Sequence, residues 1–230
     1  MAKKYVVANW KGRLTLEQGQ EWLQEYQGAM VGNPEAEVII APPCISLVTL
    51  CQEASDKNMT LGWAMQDISP YPPGAYTGSI PASLVKDLAN YVIVGHPERR
   101  RYFHEDDQDV ANKAFEVVEA GMTPVICLDS QMAAGQIGAL HDDVLEKMIA
   151  AYTPHLSGQT EKAPLPVDEV AAAVEHIASL TSRPVLYGGG ITISNAPQYA
   201  AVAGIAGLMA GGGSLKAADF AGIVRAVTNG

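Results

Sequence analysis

The chain has 230 residues, which fits one large domain or two small ones at roughly 150 residues per domain. Hydrophobic residues make up 48% of the chain and charged residues 17%, a balance that excludes a disordered protein. The 15 basic and 25 acidic residues leave a net charge of −10, which argues against nucleic acid or an anionic membrane surface as a partner. An anionic substrate would need local positive charge from backbone amides and one or two basic side chains.

Cysteine content and hydropathy predict a cytoplasmic protein. Cys44, Cys51 and Cys127 are odd in number, and their spacing fits neither a disulfide framework nor a metal pair. The apolar residues that follow Lys3 and Lys4 are too few for the core of a signal peptide. The sequence has no run of about 18 apolar residues, so it predicts no membrane span.

Eight short apolar segments, bounded by turn-forming residues, predict strands. Most do not alternate with polar residues, a pattern typical of parallel strands covered on both faces. The predicted strands are 5–8, 38–41, 60–65, 91–94, 123–127, 148–152, 184–187 and 207–210.

Helical periodicity occupies several of the intervals between these strands. The first predicted helix, 16–30, follows Thr15, and Gln18 stands at the spacing of a capping box. Further helices are predicted at 109–120, 167–180 and 215–227, and Gly121 is expected to cap the C-terminus of the first of these.

The alternation of strands and helices predicts either a (β/α)8 barrel or a doubly wound open sheet. The barrel is favoured because no G-x-G-x-x-G follows the first strand and no Gly-, Pro- or Ser-rich linker divides the chain. We therefore predict a single α/β domain over residues 1–230, a TIM barrel.

Candidate functional residues follow four of the strands, where a barrel builds its active site. Asn9-Trp10-Lys11 follows the first strand, and Gly95-His96-Pro97-Glu98-Arg99-Arg100 follows the fourth. Glycine runs, 188–190 and 211–213, follow the seventh and eighth strands. Each motif also has a purely structural interpretation. Lys11 could be a solvated surface residue, the His–Glu–Arg segment could form an ion-pair network, and the glycine runs could be tight turns. Together the glycine runs also suit a phosphate site built from backbone amides.

The order of these motifs resembles that of the triosephosphate isomerase family. The matching segments are N-W-K, V-I-V-G-H-P-E-R-R, A-Y-T-P, Y-G-G-G and G-G-G-S-L, and they extend over essentially the whole chain. The resemblance implies interconversion of dihydroxyacetone phosphate and glyceraldehyde 3-phosphate, with no cofactor and no metal.

The same resemblance implies roles for individual residues. It gives Lys11, His96 and Glu98 catalytic positions, with Asn9 supporting Lys11 within the substrate site. The phosphate would be bound by the amides of Gly189, Gly190, Gly211 and Gly212. The segment Gly74-Ala75-Tyr76-Thr77-Gly78, preceded by Gln66-Asp67, is similar to the loop through which the family forms homodimers.

Several positions depart from the family pattern, and the most consequential is Thr153, which replaces the catalytic glutamate. A threonine hydroxyl is no base near pH 7, so we expect weak, altered or absent isomerisation. Gly190 replaces a serine that helps to hold the family's lid, and residues 154–161 differ from the lid itself. His155 or Glu161 could substitute as the base; alternatively, both are solvated loop residues.

Milder departures flank these motifs. Pro97 and Ser79 replace a serine and a glutamate, and the change at Ser79 removes a carboxylate expected to pair with Arg99. Asp129-Ser130 replaces Gly-Glu. Gly135 and Gly138 predict a short or irregular fifth helix, so that the barrel is shortened there and around the lid.

Three functions remain open on the sequence alone. The first is an isomerase of impaired activity or shifted to a related sugar phosphate. The second is a non-catalytic binder of a small phosphorylated anion. The third is a different reaction of an enediolate, such as phosphate elimination, which lids normally suppress.

Overall fold

A computed structural model describes residues 3–30, 35–154 and 164–229. Eight parallel strands in these segments pair in sequence order and close into a barrel. The strands are β1 Lys4–Asn9, β2 Ala36–Ala41, β3 Gly62–Met65, β4 Tyr91–Val94, β5 Thr123–Leu128, β6 Ile149–Tyr152, β7 Val185–Tyr187 and β8 Ile205–Ala210. The TIM barrel and all eight predicted strands are confirmed.

The strands are buried on both faces, as their apolar sequences predict. Alternate residues such as Val7, Ile39 and Leu186 form a cluster inside the barrel. Their neighbours, such as Val6 and Ile40, pack outward against the helices in a second, larger cluster. This double burial explains why polar residues are confined to the strand ends.

Nine helices surround the barrel in the described segments: α1 Leu16–Ala29, α2 Cys44–Asp56, α3 Pro97–Tyr102, α4 Asp107–Glu119, α5 Ala133–Gly138, α6 Asp142–Lys147, α7 Val167–Thr181, α8 Ala196–Ala200 and α9 Ala217–Thr228. The capping box of Thr15 and Gln18 on α1 is confirmed. Helix α4 begins two residues before the predicted start because Asp106 caps it. Gly121 follows α4 in the left-handed conformation, with φ of 81°.

Two of the β/α units are irregular. Between β3 and β4 the described chain contains a short 3-10 helix, Ala82–Leu84, in place of an α-helix. After β5 the helical layer consists of α5 and α6, each six residues long. The prediction of a short or irregular fifth helix from Gly135 and Gly138 is therefore confirmed.

In the part of the chain that the structure describes, no helix has the length and apolar character needed to cross a membrane.

Candidate active site

A cavity of about 450 Å³ lies at the carboxyl ends of the barrel strands. The residues predicted from the sequence converge there from five strands, and they include Asn9, Lys11, His96, Glu98, Thr153, Gly189, Gly190, Gly211 and Gly212. The cavity wall also contains Arg13, Arg101, Thr192 and Asn195, which the sequence motifs did not single out.

Lys11 is held in the cavity by contacts to both its backbone and its side chain. Its φ is 53°, in the left-handed region. Its N–H donates to Asn9 Oδ1 at 3.1 Å, and its carbonyl accepts from Gln66 Nε2 at 2.8 Å. The ammonium group contacts Glu98 Oε1 at 2.5 Å. Lys11 is therefore positioned by its neighbours and is not a freely solvated surface lysine.

His96 is a neutral imidazole at pH 7. Burial, reinforced by the nearby Lys11 charge and opposed by Glu98, lowers its pKa to about 4. Its Nδ1 accepts from the backbone N–H of Glu98 at 3.3 Å, so the proton of the neutral ring lies on Nε2. The side chain can therefore donate a hydrogen bond through Nε2 without carrying charge.

The remaining residues of the His–Glu–Arg motif point away from the cavity into ion pairs. Arg99 binds both Asp67 and Glu105, and Lys113 binds the same two carboxylates at 2.7 and 2.5 Å. Arg99 is thus paired although Ser79 carries no carboxylate. The motif divides into His96 and Glu98 in the cavity and a structural ion-pair network behind them.

The two glycine turns touch one another at the cavity. A Cβ on Gly213 would lie 2.2 Å from the carbonyl oxygen of Ile191. Gly190 has φ of 62°, and its carbonyl accepts from Asn195 Nδ2 at 2.9 Å. Asn195 was missed because a single asparagine after a strand carries no distinctive sequence signal.

A short 3-10 helix, Gly212–Ser214, supports the second turn. The Ser214 hydroxyl donates to the carbonyl of Gly211 at 2.7 Å, and the indole N–H of Trp22 donates to the Ser214 carbonyl at 2.8 Å. These bonds fix a turn without side chains at the cavity wall, which leaves room for an anion near the main-chain amides.

Thr153 follows β6 and is buried, with 4% of its surface exposed. Its methyl group lies against Gly188, where a Cβ would be 2.9 Å from Thr153 Cγ2. Its hydroxyl oxygen is buried beside the Cys127 thiol and has no nitrogen or oxygen hydrogen-bond partner among the described residues. Of the described residues that line the cavity, Glu98 is the only carboxylate. His155 and Glu161, the two substitute bases considered above, and most of the lid lie outside the described residues.

Searched over its described segments, the chain contains no group of three or more His, Cys, Asp or Glu residues placed to hold a metal ion.

Residues 4–227 match the family model for triosephosphate isomerase. A triosephosphate isomerase of Herminiimonas arsenicoxydans is 33% identical over 252 aligned residues, covering 98% of this chain and 100% of that protein. One of Chlamydia trachomatis serovar L2 is 33% identical, with 98% and 90% covered, and one of Delftia acidovorans is 32% identical, with 98% and 99% covered. The family model and these relatives match the chain over nearly its full length. The barrel and the motifs gathered around one cavity are consistent with that match. The chain therefore belongs to the triosephosphate isomerase family.

Proposed function

We propose that the cavity binds a small phosphorylated sugar, and that the protein interconverts dihydroxyacetone phosphate and glyceraldehyde 3-phosphate at a rate limited by the missing carboxylate at position 153. The observation that carries this proposal is the convergence of Lys11, neutral His96 and two glycine turns on one cavity.

The binding half of the reaction is supported by the groups in place. The amides of Gly189, Gly190, Gly211 and Gly212 would bind the phosphate without adding side-chain bulk. The Nε2–H of His96 and the ammonium of Lys11 would donate to the substrate oxygens. Negative charge that develops on these oxygens in an enediolate would then be stabilised in a partly buried site.

The proton-transfer half of the reaction is poorly supported, because the described residues of the cavity provide no suitable base. Thr153 offers a hydroxyl whose proton is not removed near pH 7, and Glu98 is already engaged by Lys11. Positioned general acid–base catalysis contributes about 10²–10⁴-fold in enzymes. We propose a deficit of that order relative to a variant that carries the carboxylate.

An enzyme-linked isomerase assay with glyceraldehyde 3-phosphate tests this proposal. We expect slow turnover, and a gain of about 10²–10⁴-fold in kcat in Thr153→Glu. Thr153→Gln is the matched control, because glutamine has the size and shape of glutamate but its amide is not a base. Turnover at the buffer rate in the unaltered protein, with no gain in Thr153→Glu, would overturn the isomerase proposal.

A non-catalytic binder of a small phosphorylated anion is the second candidate. It is favoured by the same observation that weakens the first: Thr153 stands in the position of the base, in a cavity that is still lined by Lys11, His96 and the two glycine turns. Calorimetry with phosphoglycolate and with sulfate separates the two: binding without turnover supports the binder, and no heat with either anion removes it. Methylglyoxal measured in the isomerase assay would report phosphate elimination instead.

We also propose that the protein acts as a cytoplasmic homodimer. Large apolar side chains are exposed in three consecutive units of the barrel, with Ile45 88%, Leu84 68% and Phe103 64% exposed. In the predicted dimer loop Tyr76 stacks on Tyr71, with ring centroids 4.6 Å apart. Large apolar side chains that are exposed in the single chain would be buried if these units formed a dimer interface.

A further inference from the structure

A second cavity, of about 330 Å³, adjoins the proposed substrate cavity. Pro97 and Thr153 line both cavities. The second cavity lies at the carboxyl ends of β4 and β5 and is bounded by Cys127, Leu128 and Gln136. Its volume falls within the range of ligand-binding cavities.

Two features of this chain leave the space open. Helix α5 is only six residues long, and from it the buried Gln136 reaches back to accept a hydrogen bond from the Asp129 N–H at 3.0 Å. At position 153 the side chain ends at the γ atoms, whereas a glutamate would extend beyond the γ position by a carboxylate. Thr153 is therefore both the residue that lacks the base and part of the lining of the second cavity.

The wall carries polar groups of the kind that bind hydroxyls. Thr153 Oγ1 is buried beside the Cys127 thiol and has no nitrogen or oxygen partner in the described chain, so it can still form a stronger hydrogen bond with a bound hydroxyl. The Gln136 side-chain amide is also buried at this cavity. Cys127 and Leu128 supply an apolar surface beside them. The second cavity is also lined by Arg100 and by four carboxylates, those of Glu105, Asp106, Asp107 and Asp129. This lining fits a short hydroxylated carbon chain better than a second phosphate.

We propose that the second cavity binds the end of the ligand remote from the phosphate, so that the ligand is a phosphorylated polyhydroxy compound of four or five carbons. The inference rests on the proposed function in one respect: the phosphate is anchored at the glycine turns. From there the carbon chain passes His96 and crosses Thr153, whose hydroxyl binds a ligand hydroxyl, before it enters the second cavity.

Calorimetry with a homologous series of unreactive probes tests the inference on the full chain. The probes are glycerol 3-phosphate, erythritol 4-phosphate and ribitol 5-phosphate. We expect the affinity to rise by roughly tenfold from three to five carbons, as one or two added hydrogen bonds would give. Equal or weaker binding of the longer probes, with glycerol 3-phosphate still bound, overturns this inference and leaves the proposed function standing. Failure of every probe to bind overturns both.

Two variants test whether the gain in affinity with chain length arises in the second cavity. Thr153→Val keeps the shape and removes the hydroxyl, so the gain with chain length should fall by about fivefold. Met132→Trp adds a large side chain at the exposed rim of the second cavity and should weaken ribitol 5-phosphate more than glycerol 3-phosphate. Leu180→Trp, on the exposed end of α7, is the matched control and should change neither affinity. A gain that persists in both test variants contradicts the inference.

Discussion

The side-chain amide of Gln66 holds the main chain of Lys11 in place. Gln66 Nε2 donates to the carbonyl of Lys11 and to the carbonyl of Ala41, each at 2.8 Å. The link matters because Lys11 has φ of 53°, a conformation that costs energy for a residue with a side chain. A residue after β3 thus positions the lysine after β1.

Replacement of Gln66 by leucine should disturb the site through this link. The Lys11 carbonyl loses this donor, while the Ala41 carbonyl retains the N–H of Trp10. We therefore expect the free energy of unfolding to fall by about 1–3 kcal/mol and phosphoglycolate affinity to fall by roughly tenfold, measured by denaturant unfolding and calorimetry. Gln52→Leu is the control, because Gln52 is an exposed residue of α2 whose side-chain amide donates to Asp56 in the same helix. Unchanged affinity in Gln66→Leu would show that Lys11 keeps its conformation without the amide.

The protonation of His96 should make stability depend on pH. Burial first, and then Lys11, lower its pKa to about 4 from an ordinary value of 6.5, while Glu98 opposes the shift. Between these pH values the unfolded chain binds a proton that the folded chain does not. The free energy of unfolding should therefore fall as the pH drops from 6.5 to 4. Above pH 6.5 the stability that this pKa difference provides should be fully present.

NMR titration of the His96 ring nitrogens measures this pKa directly. We expect the ring to remain neutral, with its proton on Nε2, until the pH falls below about 5. In His96→Gln the corresponding part of the pH dependence of unfolding should disappear. A titration midpoint above pH 6 for His96 would contradict the prediction.

Barrel closure should depend on Gly207 in β8. This residue has φ of 155°, and a Cβ there would lie 1.8 Å from the carbonyl oxygen of Tyr5 in β1. Gly207→Ala must therefore separate two paired strands, and we expect a loss of more than about 4 kcal/mol or failure to fold. Gly28→Ala is the control: nothing lies within 4 Å of its Cβ position in α1, so alanine should stabilise the helix by about 0.5–1 kcal/mol.

The oligomeric state should respond to charge placed on the exposed apolar surface. Ile45 is 88% exposed at the start of α2, so Ile45→Asp should not affect the core but should disfavour burial of this surface in a dimer. Sedimentation velocity should show a dimer for the unaltered chain and a monomer for the variant. Leu180→Asp, on α7, should remain dimeric, and a monomeric unaltered chain would contradict the dimer proposal.

Some of the site could be predicted because its signal is local. The capping box at Thr15, the glycine runs after two strands and the identity of Thr153 are all readable from neighbouring residues. Gln66 could not be assigned a role in the same way, because it donates to the carbonyls of Lys11 and Ala41, which are distant in the sequence and are brought to it by the fold. Asn195 donates to the nearby Gly190 carbonyl, but that bond depends on the left-handed conformation of Gly190. Likewise, the periodicity did not predict α2 or α3, since α3 is short and α2 has apolar residues around much of its surface.

The sequence by itself determined the class of fold and the composition of the site. Apolar segments without alternation require strands buried on both faces, and motifs at their ends require that chemistry occur at one rim of the barrel. Only the tertiary structure decided which members of the His–Glu–Arg motif face the cavity and which pair behind it. It also decided that Thr153 lines two cavities, because that position depends on the length of α5 and on the packing of β5, β6 and β7 against one another.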